Sequence, residues 1–288
     1  MAIFTNQASL TYGNVTRNSN IATGQLLETV SASKSAVSTE YTVGDDITYV
    51  VSIVNAGETA QTGVLLTDDL GAYTVGGATV YPLTYVDGSA KLYVNGVLQT
   101  APTVTAGPPL TLANITVPAD SNVIIIYEAT VNDFAPSLEG SIIVNSATVS
   151  GGGIAVPISV NETITARSVS DLTISKSISP AVVTDNGEVT YTFVIQNTGN
   201  APVGADAAAV VSDTFDPILT NVSVTYNSLP WAEGTNYIYN QATGQFSTVP
   251  GQITVPASSY TQDASGEITV TPGVSVLTVT GNISISGQ

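Results

Sequence analysis

SASKSAVSTEYTVGDDITYVVSIVNAGE, residues 31–58, and TISKSISPAVVTDNGEVTYTFVIQNTGN, residues 173–200, align without a gap. Lys34 pairs with Lys176, Tyr49 with Tyr191, Asn55 with Asn197 and Gly57 with Gly199, each pair 142 residues apart. Further on, VLLTDDL at 64–70 corresponds to AVVSDTF at 209–215, placing Asp68 opposite Asp213. Repetition at this period means two copies of one domain. Within each copy, runs such as ITYVVSIVN and VTYTFVIQN alternate apolar and polar residues, which is the period of a half-buried strand. Turn signals such as VDGSA, AGPP, NAGE and NTGN separate the runs. The expected fold class is all-β: two tandem immunoglobulin-like antiparallel β-sandwich domains plus an N-terminal donor strand.

Composition agrees and excludes several functions. The chain has 288 residues, 9% of them charged, and Tyr is its main aromatic, a make-up suited to pleated surfaces. A net charge of −17 with five basic residues repels a phosphate backbone, so no nucleic-acid partner is expected. Cysteine and histidine are both absent, which removes thiolate chemistry and the commonest general base and metal ligand. No metal site and no cofactor are expected. No apolar run is long enough for a membrane span, and MAIFTNQASL does not read as a secretory signal. That combination fits either a mature fragment or an extracellular protein that leaves by a route needing no signal, such as lysis of the cell that makes it.

The first domain runs through VIIIYEATVN at 123–132 into a closing strand, SIIVNSATVS at 141–150. The second reaches the equivalent of the former, VSVLTVTGNISISGQ, without text matching the latter. The Asn-x-Ala-x-aliphatic core of that strand, Asn145 to Val149, reappears as Asn6 to Leu10. From Asn145 to Lys176 is 31 residues and from Asn6 to Lys34 is 28, so similar spacers join strand to following domain. The organisation expected is residues 1–19 as donor strand and start of a spacer, 20–160 as the first sandwich, and 161–288 as a second sandwich lacking its last strand. Ile3, Phe4, Asn6, Ala8, Leu10 and Tyr12 would then complete the second domain of another copy. An incomplete sandwich exposes unpaired backbone groups that invite such a strand. Because donor and acceptor are different surfaces, the contact is heterologous and propagates head to tail. Closure of the strand onto its own chain is the competing reading.

The chain has only three lysines, Lys34, Lys91 and Lys176, and two of them occupy the same repeat position. With the repeated Asp68 and Asp213 and the repeated Asn145 and Asn6 they make a Lys-Asp-Asn set per domain. That is the chemistry of an isopeptide bond: a desolvated lysine is a nucleophile, and a buried carboxyl can polarise a carboxamide and carry the proton to departing ammonia. The expected bonds are Lys34 to Asn145 within one molecule, assisted by Asp68, and Lys176 to Asn6 of the next, assisted by Asp213. Snorkelling lysines and solvated acids are the plain alternative.

Other features carry less. Trp231, Tyr237 and Tyr239 lie in an insert, NSLPWAEGTNYIYNQATGQF, that suits either core filling or the binding surface of a monomeric adhesin recognising carbohydrate or protein. Other surface proteins are open as further partners. Glu128 and the pairs Asp45–Asp46 and Asp68–Asp69 supply carboxylates, but not at an EF-hand spacing or in an arguable pocket, and no turnover enzyme is expected.

The Lys-terminated first strand, ITYVVSIVNAGE and VTYTFVIQNTGN, then TDDL and SDTF, and VNSATV together resemble the bacterial surface-protein repeat called domain of unknown function 11. That resemblance implies immunoglobulin-like sandwiches in envelope proteins. The two-repeat layout is also similar to subunits of ribbon-like clostridial spore appendages, which implies a structural component assembled in the mother cell. The second domain departs from the pattern in its long insert and missing strand.

Overall fold

The computed structural model of the chain describes residues 2–26 and 29–284. At the N-terminus β1 (Ala2–Asn6) and β2 (Ser9–Tyr12) run out to a tight turn, and β3 (Val15–Asn18) and β4 (Ala22–Leu26) run back. β1 pairs with β4 and β2 with β3, so the segment is a hairpin, interrupted where Ala8 N–H donates to Ser19 Oγ. Gly13 takes the left-handed conformation at its tip, with φ +57°, which a side chain would oppose. The hairpin was expected as one strand followed by a polar spacer; the spacer is the return strand.

The first domain follows as β5 (Val30–Ala36), β6 (Glu40–Tyr41), β7 (Asp46–Asn55), β8 (Gln61–Asp68), β9 (Tyr73–Val75), β10 (Ala78–Val80), β11 (Leu83–Tyr85), β12 (Lys91–Val94), β13 (Val97–Leu98), β14 (Thr103–Thr105), β15 (Leu110–Val117), β16 (Ser121–Val131), β17 (Ile142–Gly151) and β18 (Ile158–Ala166). One sheet has the order β13-β12-β16-β7-β5, with β11 also on β16; the other has the order β14-β15-β8-β17-β18-β6. Strict alternation in β7 and β16 sends Tyr49, Val51, Ile53, Val123, Ile125 and Tyr127 inward, where they are buried together with Val64, Leu66, Leu110, Leu112 and Val149 of the facing sheet. Each such side chain contributes about 1.5–3 kcal/mol by leaving water.

β18 runs past the boundary expected at residue 160. Its backbone is paired with β17 along its length, and Thr165 N–H donates to Thr39 O, so the first unit comprises residues 1–135 and 142–165. Residues 136–141 and 166–288 form the second unit, with Ala166 N–H donating to Ser141 O and Asn200 Nδ2 to Ser137 O.

The second unit contains β19 (Leu172–Ser179), β20 (Glu188–Asn197), β21 (Ser212–Thr214), β22 (Leu219–Tyr226), β23 (Leu229–Trp231), β24 (Tyr237–Asn240), β25 (Gln245–Thr248), β26 (Ser259–Gln262), β27 (Ile268–Thr271) and β28 (Gly273–Ile283). Its first sheet, β19-β20-β28-β22-β23, repeats the first sheet of the other domain. Its second sheet, among the described residues, is β21-β25-β24, with β26 and β27 paired apart from it. The positions of β17, β18 and β6 beside β8 have no counterpart beside β21 among the described residues.

The repeated Asn-x-Gly does the same work twice. Asn55 Oδ1 accepts from Gly57 N–H while Nδ2 donates to Thr59 O and Pro118 O; Asn197 Oδ1 accepts from Gly199 N–H while Nδ2 donates to Ala201 O and Pro256 O. A Cβ at Gly199 would stand 2.2 Å from Val169 O, so only glycine fits that close approach.

Candidate functional site

In the first domain the three residues of the Lys-Asp-Asn set meet at one buried point. Lys34 lies on the inward face of β5, Asp68 ends β8 and Asn145 lies on β17. The side chains of Lys34 and Asp68 are both 0% exposed, and Lys34 Nζ is 2.6 Å from Asp68 Oδ2 and 2.9 Å from Asn145 O. Asp68 Oδ1 accepts from Leu70 N–H. The hydroxyl of Tyr127 donates to Asp68 Oδ2, and Lys34 Nζ sits over the ring of Tyr49, 4.8 Å from its centroid.

Burial pushes the Lys34 ammonium below the usual lysine pKa, against the opposing pull of the Asp68 carboxylate. Burial likewise raises the Tyr49 and Tyr127 hydroxyls, keeping both protonated. The side-chain amide of Asn145 is fully buried beside these hydroxyls, yet neither its Nδ2 nor its Oδ1 meets a partner in hydrogen-bonding geometry. An unpartnered buried polar group costs about 1–3 kcal/mol. The Tyr49 hydroxyl is also unpartnered.

In the second domain the same set is open. Lys176 pairs with Asp213 Oδ2 and lies over the rings of Tyr191, Phe193 and Phe215, at 4.5, 5.4 and 5.3 Å. The Lys176 side chain is 40% exposed, whereas that of Lys34 is wholly covered. All of β19 is exposed, including Leu172, Ile174 and Ile178 on the face that carries Lys176. The difference has a simple cause: in the first domain β17 covers this face and brings Asn145, and beside β21 no described strand does so.

Asn6 lies on β1 opposite Ala22, exposed, with Ile3, Phe4, Ala8, Leu10 and Tyr12 exposed around it. The acid pairs are engaged elsewhere. Asp45 accepts from Thr42 N–H, Asp46 from Thr130 Oγ1, and Asp69 from Gly71 and Ser146 N–H. Among the described residues no cluster of three potential metal ligands occurs, and no helix is long and apolar enough to cross a membrane. Trp231 stacks on Tyr226 at 4.7 Å and packs with Tyr239 against the core that includes Tyr237, so the insert fills the sandwich.

Tyr127 and Tyr49 were not legible as site residues. Tyr127 pairs across strands with Tyr49, and the corresponding partner of Tyr191 is Val279, so the tyrosine on Asp68 has no repeat signal.

No protein-family model matches the chain, and no curated protein matches it. Among solved structures it is similar to the pilus backbone RrgB from Streptococcus pneumoniae, at 13% identity over 84% of this chain and 55% of that one, TM-score 0.34. It is similar also to BcpA, the major pilin subunit of Bacillus cereus, at 10% identity over 99% of this chain and 75% of that one, TM-score 0.36. A collagen-binding domain from a Staphylococcus aureus adhesin matches at 12% identity over 46% of this chain and 96% of that one, TM-score 0.31. The chain spans about half the length of the pneumococcal protein. These are likenesses of fold alone.

Proposed function

We propose that this protein is a structural subunit of a surface filament, polymerising head to tail as residues Ile3–Tyr12 of one copy complete the second domain of the next. The observation that carries the reading is the contrast between the two repeats: the same Lys-Asp pair is sealed by β17 in one, whereas in the other Lys176 is 40% and Asp213 20% exposed. A strand seated beside β21 would cover Leu172, Ile174 and Ile178, pair the edge of β21 that has no neighbour among the described residues, and desolvate Lys176.

Isopeptide bonds would lock both joints. Within the first domain, the Lys34 ammonium gives a proton to Asp68, and the neutral Nζ attacks Cγ of Asn145. A C–N bond to Nζ forms and the bond to Nδ2 breaks. Asp68 returns that proton to the leaving amine and the lysine nitrogen gives up a second, so the nitrogen departs as ammonium and the carboxylate ends as it began. Tyr127 holds the Asp68 oxygen that shares the lysine proton. Lys176 and Asp213 would do the same to Asn6 of a neighbouring copy once that strand has excluded water. Each bond forms once, so this is self-modification and not turnover. The reading extends to an extracellular or spore surface as the place of assembly.

A boiled denaturing gel of the purified protein beside Lys176→Ala, with electron microscopy of both, tests this. The expected result is filaments and a ladder of multimers from the unaltered protein, with the ladder lost in the variant. Monomer in the gel and isolated particles in the microscope, for the unaltered protein, would overturn it.

A further inference from the structure

We infer that the donated element is the whole N-terminal hairpin, residues 3–26, and that it docks on β21 in one register. The inference rests on the proposed filament and deepens it by naming the partner surface.

The template is in the first domain. There β17 and β18 form a hairpin, and β17 pairs antiparallel with β8, Ala147 opposite Asp68, Thr148 opposite Thr67 and Val149 opposite Leu66. Ile143, Asn145, Ala147 and Val149 face inward and are buried. The N-terminal hairpin carries Phe4, Asn6, Ala8 and Leu10 at the same alternate positions, with Phe4 61% and Leu10 65% exposed. Where β17 and β18 set Ile143 opposite Ile164, the N-terminal hairpin sets Phe4 opposite Gly24, and the ring lies across the glycine, where a Cβ would come within 2.2 Å of it. One large ring over one bare position takes the place of two aliphatic side chains. An isolated two-stranded hairpin is only marginally stable in water. This one therefore presents a formed apolar face that needs a sheet to rest on.

The acceptor has the matching vacancy. β21 pairs only with β25 among the described residues, through Asp213 opposite Phe246, as β8 pairs with β15 through Asp68 opposite Leu110. Superposing the two arrangements puts Ala8 opposite Asp213, Ser9 opposite Ser212 and Leu10 opposite Val211. Asn6 then occupies the place of Asn145, beside Lys176. A slip of one residue would turn Phe4, Asn6, Ala8 and Leu10 to solvent, which pins the register. The return strand β3–β4 becomes the outer strand of the neighbour's sheet, as β18 lies outside β17.

The chain has no cysteine, so a staple can be introduced cleanly. Thr11 and Thr16 face each other across the hairpin with their hydroxyls 3.1 Å apart. Thr11→Cys with Thr16→Cys, oxidised and checked by mass, locks the hairpin closed on the outward face. The expected result is that the stapled protein forms filaments and the boiled multimer ladder as well as its reduced form. Polymer from the reduced form and monomer from the stapled form would overturn the hairpin while leaving donation of a single strand intact. Monomer from both, and from the unaltered protein, would overturn the filament itself. Register is read separately in a Lys176→Ala background. Ser9→Cys with Ser212→Cys is expected to give a disulfide ladder on oxidation and Gln7→Cys with Ser212→Cys none; the reverse pattern would refute the alignment.

Discussion

Replacing Asn145 by Leu separates a cross-linked first domain from an uncross-linked one by the sign of the stability change. Leucine has nearly the shape of asparagine, leaves the Lys34–Asp68 pair in place, and removes two buried polar atoms that have no partners. In a domain held only by non-covalent contacts the change is therefore neutral or stabilising, by about 1–3 kcal/mol for each atom relieved. If Lys34 and Asn145 are joined, the substitution deletes a cross-link that closes a loop of 111 residues. The chain-entropy expression for a loop of that size gives about 5 kcal/mol. For a unit of this size each kcal/mol moves the midpoint by about 2–4 °C, so the first-domain transition should fall by about 10–20 °C. Differential scanning calorimetry reads the shift, and intact mass reads the chemistry, since each bond removes one ammonia. A variant melting at or above the unaltered protein, with the unaltered protein at its full sequence mass, would refute the reasoning.

The same variant has a distinctive pH profile. Lys34 remains an amine there, with a folded pKa below its unfolded 10.5, so the unfolded chain binds more protons between those values. Stability should rise with pH toward about 10 and turn over as Tyr49 and Tyr127, both raised above 10.0 by burial, begin to ionise only in the unfolded chain. The cross-linked protein has no titrating Lys34 and lacks the rising limb; parallel urea-midpoint profiles would contradict this. Asp68→Asn keeps the shape but removes the proton carrier, and bond formation followed by mass after refolding should slow by at least about 100-fold. Phe4→Ala removes the largest apolar contact offered to the neighbour, worth about 1.5–3 kcal/mol, and should raise the concentration needed for assembly roughly 10- to 100-fold. Light scattering would measure it, and an unchanged threshold would remove Phe4 from the interface. Trp231→Ala should lower second-domain stability by roughly 2 kcal/mol, about half the cost of a fully buried Trp, without changing assembly.

The repeat, the alternation and the rare lysines were enough to specify two sandwiches and to pair Lys34 with Asp68 and Asn145, because a period of two along a strand assigns each side chain to a face wherever that face is buried. Strands with one weakly buried face escaped that reading. β18 is only half-covered along most of its length, and the polar text of β3 is exposed, so both read as spacer and the expected domain boundary falls too early. Tyr127 is spelled as one more apolar position in SNVIIIYEATV; only packing aims its hydroxyl at Asp68, from a strand 59 residues away. The chain order dictates which faces are apolar, while the pairing of edges distant in sequence is settled by which surfaces close over one another. That is why the part-exposed Lys176 and the sealed Lys34, alike as letters, became different chemical environments only in three dimensions.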